Sequence, residues 1–173
     1  MRNLLVIITV FIALTLILTS CYSNQGKDVS SFIKYAPPMK DLVSGKTINL
    51  NDYSNKLLVL EFFETWCPAC NTAIPELNKF YKSINENNKT KNNVAFFSIL
   101  SPSSGDEKSI KEFIKNKKIE YPVLLEEKQQ LSYNLEVKYI PTLFFIKDGK
   151  IVYSKVGPSQ STVLMNELLK FVK

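Results

Sequence analysis

The stretch LLVLEFFETWCPAC, residues 57–70, decides which fold this chain can adopt. Its first seven residues are almost continuously apolar, as expected for a strand that is buried on both faces of a sheet. Apolar residues then recur at helical spacing from Pro68 to Asn87, which predicts an amphipathic helix. Cys67 and Cys70 therefore lie where a buried strand turns into a helix.

This position gives the two cysteines different chemical roles. At a helix start they lie on one face, close enough to form a disulfide. A thiolate at Cys67 meets free backbone N–H groups and the positive end of the helix dipole, so Cys67 is predicted to be the attacking sulfur. Cys70, one turn further along, is predicted to be the resolving thiol. Pro68 suits the first helical position, where its missing N–H costs nothing.

Other uses of a CxxC pair are less favoured by the composition. The chain has no histidine and only one further cysteine, Cys21. An ordinary four-ligand Cys/His zinc site therefore cannot be built, and no metal is expected. A purely structural disulfide is possible in an exported protein, but closing so short a loop stabilises a fold very little.

The first 21 residues have the pattern of an export signal. A basic start at Arg2 is followed by an apolar run over residues 4–18, which is short for a spanning helix. The run ends in Leu18-Thr19-Ser20-Cys21, which resembles a bacterial lipobox, whose cysteine receives lipid. We therefore predict a signal peptide over residues 1–20 and a lipidated Cys21 that tethers the protein to a membrane on the outer side. The alternative is an uncleaved membrane anchor.

The rest of the chain divides into a linker and one domain. Residues 21–35 are polar and serine-rich and predict a flexible tether. Residues 36–173 predict a domain in which a hairpin near Ser44-Gly45-Lys46 precedes alternating strands and helices. A second hairpin turns at Asp148-Gly149, and a helix over residues 161–171 closes the domain. The predicted fold class is α/β, with a mixed central sheet and helices on both faces.

The surface charge argues against nucleic-acid binding. The formal net charge is +6, but Arg2 is the only arginine and the lysines are scattered along the chain. Nucleic-acid-binding proteins usually present a concentrated basic face with arginine forks. No nucleic-acid partner is therefore expected.

Beyond the cysteine motif, the chain resembles a known family. Trp66-Cys67-Pro68-Ala69-Cys70 resembles the thioredoxin superfamily, and residues 36–173 are similar to its envelope branch, the TlpA/ResA-like thiol–disulfide oxidoreductases. Pro75 resembles the helix-kinking proline of thioredoxins, and Tyr139-Ile140-Pro141-Thr142 resembles the cis-proline loop. The front hairpin and an extra helix near residues 107–117 are typical of the envelope branch.

The resemblance implies roles for several residues. Pro141 is expected to be cis and to pack against the disulfide, with Ile140 pairing with the client backbone. Trp66, Pro68 and Ala69 are expected to contact clients. The implied partners are envelope proteins with thiols or disulfides and a membrane electron donor of the thiol–disulfide type, and the only redox group is the Cys67–Cys70 disulfide itself.

Glu61 interrupts the apolar strand six residues before Cys67. A carboxyl that points into such a strand is costly to ionise and tends to keep its proton near neutral pH. The resemblance implies that a buried acid here accepts the proton of Cys70, although many envelope relatives carry a neutral residue. A surface acid at a strand edge is the alternative. Glu64 is expected to be exposed.

The sequence thus predicts a membrane-tethered thiol–disulfide oxidoreductase, a reductase rather than an oxidant because Pro68-Ala69 lacks the histidine of strongly oxidising relatives. Cytochrome c maturation is one possible task. A peroxiredoxin-like thiol peroxidase is a second hypothesis, weakened by the absence of arginine after Arg2. A lipoprotein binding module with a structural CxxC is a third.

Overall fold

The computed structural model describes residues 25–172, so the predicted signal peptide and Cys21 lie outside the described residues. The strands are β1 Met39–Asp41, β2 Thr47–Ile48, β3 Leu57–Phe62, β4 Val94–Leu100, β5 Val123–Leu125, β6 Thr142–Lys147 and β7 Lys150–Val156. The helices are α1 Ser30–Lys34, α2 Pro68–Glu86, α3 Glu107–Asn116, α4 Gln130–Asn134 and α5 Ser161–Leu169. Short 3₁₀ turns cover Leu50–Tyr53 and Pro102–Ser104.

The seven strands form one mixed sheet in the order β2-β1-β5-β4-β3-β6-β7. Strands β3, β4 and β5 are parallel neighbours. On the other side of β3, β6 pairs antiparallel with β3, and β7 pairs antiparallel with β6. The front hairpin, β1 and β2, extends the opposite edge through antiparallel pairing with β5. The predicted α/β class and mixed sheet are confirmed.

Hydrophobic layers cover both faces of the sheet, as predicted for a central strand that is apolar throughout. One layer contains residues of α2, α3 and α5, together with both cysteines. The other layer contains residues of α1 and α4. Alternate residues of β3 point into the two layers, since Val59 belongs to the first and Leu58 and Leu60 to the second. The fully buried β3 thus carries side chains directly beneath the cysteine motif.

The β6–β7 hairpin turns at Asp148-Gly149, as the sequence predicts. Both residues have positive φ angles, 50° and 73°. A Cβ atom on Gly149 would lie 2.5 Å from Cβ of Ser30, so only glycine fits between the turn and α1. The turn therefore also packs directly against the start of α1.

The predicted flexible tether is wrong for its second half, because residues 25–35 pack onto the domain. Val29 is fully buried and Ile33 is 4% exposed. Backbone hydrogen bonds run from Gly26 to Ile151, from Ile151 to Lys27 and from Val29 to Gly149, which places residues 26–29 along the edge of β7. The composition misled because two buried apolar side chains and a strand-like edge suffice to hold a serine-rich segment.

Two further local predictions differ from the structure. The pair Ser104 and Glu107 resembles a capping box in the sequence, but the residue that caps α3 is Asp106, whose side chain accepts from the backbone N–H of Ser109. The spacing of the last helix predicts Val163 to face inward with Leu164 and Leu168, but Val163 is 44% exposed while the two leucines are buried. Helix α5 ends at Leu169 and presents a narrower apolar face than its composition predicts.

Within residues 25–172, no helix combines the length and apolar character needed to cross a bilayer.

Candidate active site

The candidate active site lies at the start of α2, directly after β3. Cys67 is the N-cap residue, and the backbone N–H of Cys70 donates to its sulfur at 3.1 Å. Pro68 occupies the first turn, where no backbone donor is lost. The helix start therefore directs hydrogen-bond donors and the positive end of its dipole at the Cys67 sulfur, which favours a thiolate there.

Cys67 and Cys70 form a disulfide, with Cα atoms 5.3 Å apart. Cys67 is 4% exposed and Cys70 1% exposed, so both sulfurs are largely covered in this oxidised form. Trp66, in contrast, is 61% exposed beside them. Pro68 is exposed and Ala69 half-buried, so the predicted client-contacting residues form one surface around the disulfide.

The loop before β6 brings Ile140 and Pro141 to the disulfide. The Ile140–Pro141 peptide bond is cis, and the Ile140 carbonyl oxygen lies 3.9 Å from the Cys67 sulfur. The Pro141 carbonyl accepts from the backbone N–H of Gly157 at 2.8 Å. Thr142 Oγ1 donates to the Tyr139 carbonyl at 2.6 Å. These bonds fix the loop against the end of β7 and the motif.

Glu64 is half-buried and hydrogen-bonded, which corrects the prediction that it is exposed. Its carboxylate accepts from Ser101 Oγ at 2.7 Å and from Ser104 Oγ. Thr65 adds two bonds to Ser104, one from its backbone N–H and one from its hydroxyl. The serine-rich loop after β4 therefore holds the segment immediately before Trp66.

Asn71 supports the same segment from within α2. Its side-chain amide donates to the carbonyl oxygens of Thr65 at 3.1 Å and Cys67 at 2.9 Å. A proline at position 75 cannot donate to the Asn71 backbone carbonyl, so the first turns of α2 depend more on such side-chain bonds. The sequence analysis missed this role, since an asparagine in a first turn has no distinctive pattern.

Glu61 lies on the face of β3 that carries the cysteine layer. It is 2% exposed and accepts a hydrogen bond from Ser98 Oγ, on the neighbouring strand β4. Burial raises the pKa of Glu61 from its ordinary 4.5 to about 7, and the Ser98 hydrogen bond acts in the opposite direction. The inward orientation predicted from the strand pattern agrees with this position, and the carboxyl can exchange a proton near neutral pH.

Ser98 and Tyr121 are site residues that the sequence analysis missed. Ser98 interrupts the apolar strand VAFFSIL just as Glu61 interrupts β3, and the two are register partners across the parallel pair. That signal becomes readable only once the pairing of β3 with β4 is known. Tyr121 is fully buried, and its hydroxyl makes no hydrogen bond within the described residues.

Residues 25–172 contain no group of three or more His, Cys, Asp or Glu side chains arranged to hold a metal ion.

Comparisons with known proteins agree with the fold and the disulfide. Residues 34–154 match the AhpC/TSA family. A thiol–disulfide oxidoreductase ResA of Bacillus cereus is 29% identical over 146 residues, 84% of this chain and 77% of the relative. The crystal structure of StoA from Bacillus subtilis superposes with a TM-score of 0.66 at 25% identity, covering 76% of this chain and 95% of StoA. The exposed lipoprotein thioredoxin of Streptococcus pneumoniae (strain TIGR4) gives 0.66 at 24% identity, covering 78% and 98%.

Fold and disulfide together define a thioredoxin-like thiol–disulfide oxidoreductase. The chain belongs to the AhpC/TSA family, whose match covers most of its length, from the end of α1 to the last strand.

Proposed function

We propose that this protein is a membrane-anchored reductase of disulfides in cell-envelope proteins, with Cys67 as nucleophile and Cys70 as resolving thiol. The observation that carries the proposal is the asymmetry of the pair. The Cys67 sulfur caps the helix, receives a backbone N–H there and lies beside exposed Trp66, whereas Cys70 lies one helical turn further along, on the side of β3 that carries Glu61. An attacking sulfur needs access and a stabilised thiolate, and a resolving sulfur needs a nearby base.

The proposed reaction is a pair of exchange steps. The reduced Cys67 thiolate attacks a client disulfide, forming a mixed disulfide and releasing one client thiolate. Glu61 then takes the proton of Cys70, and the new thiolate attacks the Cys67 sulfur. That attack forms the Cys67–Cys70 disulfide and releases the second client thiolate, so the client gains two electrons. A membrane donor of the thiol–disulfide type must reduce the protein again.

The surface around the disulfide suits an extended client segment. Trp66 and Tyr139, from the two segments that meet at the pair, are 61% and 68% exposed, and Pro68 is an exposed apolar residue next to Cys67. The Ile140 carbonyl oxygen lies 3.9 Å from the Cys67 sulfur. We propose that these side chains, with Ala69, contact the residues that flank a client cysteine, and that Pro141 fixes the loop for backbone pairing.

The test of this function is reduction of insulin by the full chain in detergent, with dithiothreitol as donor. We expect precipitation of the insulin B chain at a rate well above that with dithiothreitol alone. A protein that leaves the rate unchanged and consumes no peroxide would be a binding module with a structural disulfide, which contradicts the proposal.

A thiol peroxidase is a second candidate, because the AhpC/TSA family name covers peroxide-reducing proteins as well. The contacts of Thr65 count against it. In peroxiredoxins a threonine or serine three residues before the cysteine assists the reacting sulfur, with an arginine. Here Thr65 precedes Cys67 by two residues and bonds Ser104 instead, and the chain has no arginine after Arg2. We expect peroxide consumption no faster than that of a free thiol.

Membrane attachment through a lipid on Cys21 is part of the proposal. It is supported by the lipobox-like residues before Cys21 and by the similarity to the exposed lipoprotein thioredoxin of Streptococcus pneumoniae. Attachment would hold the domain on the outer side of the membrane, where disulfide-bonded clients occur. Reduction of the cysteine pair of an apocytochrome c, for haem attachment, is one task that such a reductase could serve.

Replacement of Cys21 by alanine tests the anchor. The variant is expected to incorporate no labelled fatty acid and to keep its signal peptide, because the sulfur that receives the lipid is gone. Metabolic labelling with radioactive palmitate, followed by fractionation, measures both. Ser23→Ala is the matched control and should be labelled like the unaltered protein; equal labelling of Cys21→Ala would exclude this anchor.

A further inference from the structure

Behind the cysteine pair lies a buried polar cluster that consists of Glu61, Ser98 and Tyr121. Glu61 and Ser98 are 2% and 0% exposed, and Tyr121 is 0% exposed. The three come from different elements: β3, β4 and the segment before β5. In an otherwise apolar layer, polar groups of this kind cost free energy unless they are hydrogen-bonded to one another.

When Glu61 is ionised, the arrangement seen in the structure leaves one member of the cluster, Tyr121, without a well-formed hydrogen bond. Ser98 Oγ donates to Glu61 Oε2, so the serine hydrogen is committed while the carboxyl is ionised. The Tyr121 hydroxyl is buried and makes no hydrogen bond of good geometry. Burial and the Glu61 charge raise the pKa of Tyr121, and the nearby Ser98 hydroxyl acts in the opposite direction. A small rotation of the two hydroxyls would let Tyr121 donate to Ser98.

The same three groups can also serve a protonated Glu61. A carboxylic acid is a donor, so its O–H needs an acceptor within this buried layer. Ser98 Oγ can accept it and turn its own hydrogen toward the Tyr121 oxygen, because each hydroxyl is both a donor and an acceptor. The direction of every bond then reverses, and each of the three groups keeps a hydrogen-bond partner in both states, with the Tyr121 hydroxyl acting as the donor in one state and as the acceptor in the other.

We propose that Ser98 and Tyr121 are positioning residues of the resolving step, forming with Glu61 a hydrogen-bond chain that reverses when Glu61 takes the proton of Cys70. This proposal rests on the proposed function, because the hydrogen-bond chain acts on Glu61, the base that activates Cys70. The hydrogen-bond chain lets a carboxyl in a buried, apolar layer change its charge while it keeps a hydrogen-bond partner. The proton balance is unaltered: Cys70 loses one proton, Glu61 gains it, and the two hydroxyls only exchange partners.

Other ionisable groups of this layer come from several elements. They are Cys67 at the N-cap of α2, Cys70 and Tyr81 within α2, and Tyr153 on β7. Of these, the tyrosines offer a comparison: the Tyr81 ring contacts the Tyr121 ring at 6.4 Å between centroids, but Tyr81 is only partly buried. Tyr81 therefore serves as an internal control for effects that pass through ring packing alone.

The test compares two isosteric substitutions, Ser98→Thr, which keeps the hydroxyl, and Ser98→Val, which replaces it by a methyl group. In the reduced full chain, carbon-13 NMR follows the Glu61 carboxyl and the Tyr121 Cζ as pH is raised. We expect the Glu61 midpoint in Ser98→Val to lie about one pH unit above that in Ser98→Thr, since a hydrogen bond to the carboxylate is lost. Tyr121→Phe assigns the tyrosine signal, and thermal unfolding verifies that each variant is folded.

The Tyr121 signal tests the chain itself. In Ser98→Thr the chemical shift of Tyr121 Cζ should change with pH at the Glu61 midpoint. In Ser98→Val this change should fall to less than half of its size in Ser98→Thr. The chemical shift of Tyr81 should not change at the Glu61 midpoint in either variant. Equal Glu61 midpoints in the two variants, or a Tyr121 shift that survives in Ser98→Val, would overturn the proposal. Neither measurement needs a client. If insulin reduction failed while both titrations gave the expected result, the reductase function would be rejected and the hydrogen-bond chain of Glu61, Ser98 and Tyr121 would still be supported.

Discussion

Replacement of Cys70 by serine is expected to convert the protein into a trap for its clients. Cys67 would still attack a client disulfide, but no second thiol would resolve the mixed disulfide. Cys67→Ser should instead lose reduction on the order of a thousandfold, because a serine hydroxyl is not ionised at neutral pH. Non-reducing electrophoresis of envelope fractions would measure the adducts, which should collapse on addition of dithiothreitol.

The different positions of the two cysteines provide the internal comparison. Cys67 is the N-cap residue beside exposed Trp66, whereas Cys70 lies one turn inside α2, so adducts on Cys70 are not expected. Cys67→Ser should accumulate few adducts, and the double variant none. Adducts that depend on Cys70 rather than on Cys67 would reverse the assigned roles. The trapped proteins would also tell whether apocytochromes are among the clients.

Replacement of Glu61 by glutamine is expected to stabilise the fold at high pH while slowing turnover. The pKa of Glu61 is raised from 4.5 to about 7 by burial. Between these values the folded state keeps a proton that the unfolded chain releases, so the free energy of unfolding falls as pH rises through this window. The fall amounts to about 3 kcal/mol and is complete above pH 7. Glutamine carries no charge, so the Glu61→Gln variant does not lose this part of the free energy of unfolding.

Denaturant unfolding of the oxidised protein at pH 4 and pH 8 measures this effect. The variant and the unaltered protein should differ little at pH 4, and the variant should be more stable by about 3 kcal/mol at pH 8. Its resolving step should lose the increase in rate that accompanies ionisation of Glu61. Glu64→Gln, which alters a half-buried carboxylate in the adjacent loop, is the matched control. A pH-independent stability difference would mean that Glu61 does not titrate in the folded state.

The parts of the fold that the sequence could predict are those where one residue pattern has one structural outcome. An apolar run followed by CxxC and helical spacing determined β3, α2 and the position of the disulfide. Asp148-Gly149 between two predicted strands determined the last hairpin. In each case the decisive interactions are local, within one strand, one turn or one helix start.

The parts that could not be predicted depend on contacts between distant residues. Ser98 becomes significant only opposite Glu61, across a strand pair separated by 37 positions. The sequence favours a short strand over residues 121–125, but Tyr121 precedes β5 and its ring packs into the layer that contains Glu61. Ser101 and Ser104 have the composition of a loop, and only the folded chain brings them to Glu64.

The packing of residues 26–35 has a consequence for the reach of the enzyme. Three residues separate Cys21 from Gln25, where the described part of the chain begins, and the four steps between these two residues span about 14 Å at full extension. With a lipid on Cys21, as proposed, so short a linker keeps the domain within a thin layer above the bilayer. The protein would then meet its partners by lateral diffusion and at high effective concentration, and a cysteine far above the membrane would lie out of its range.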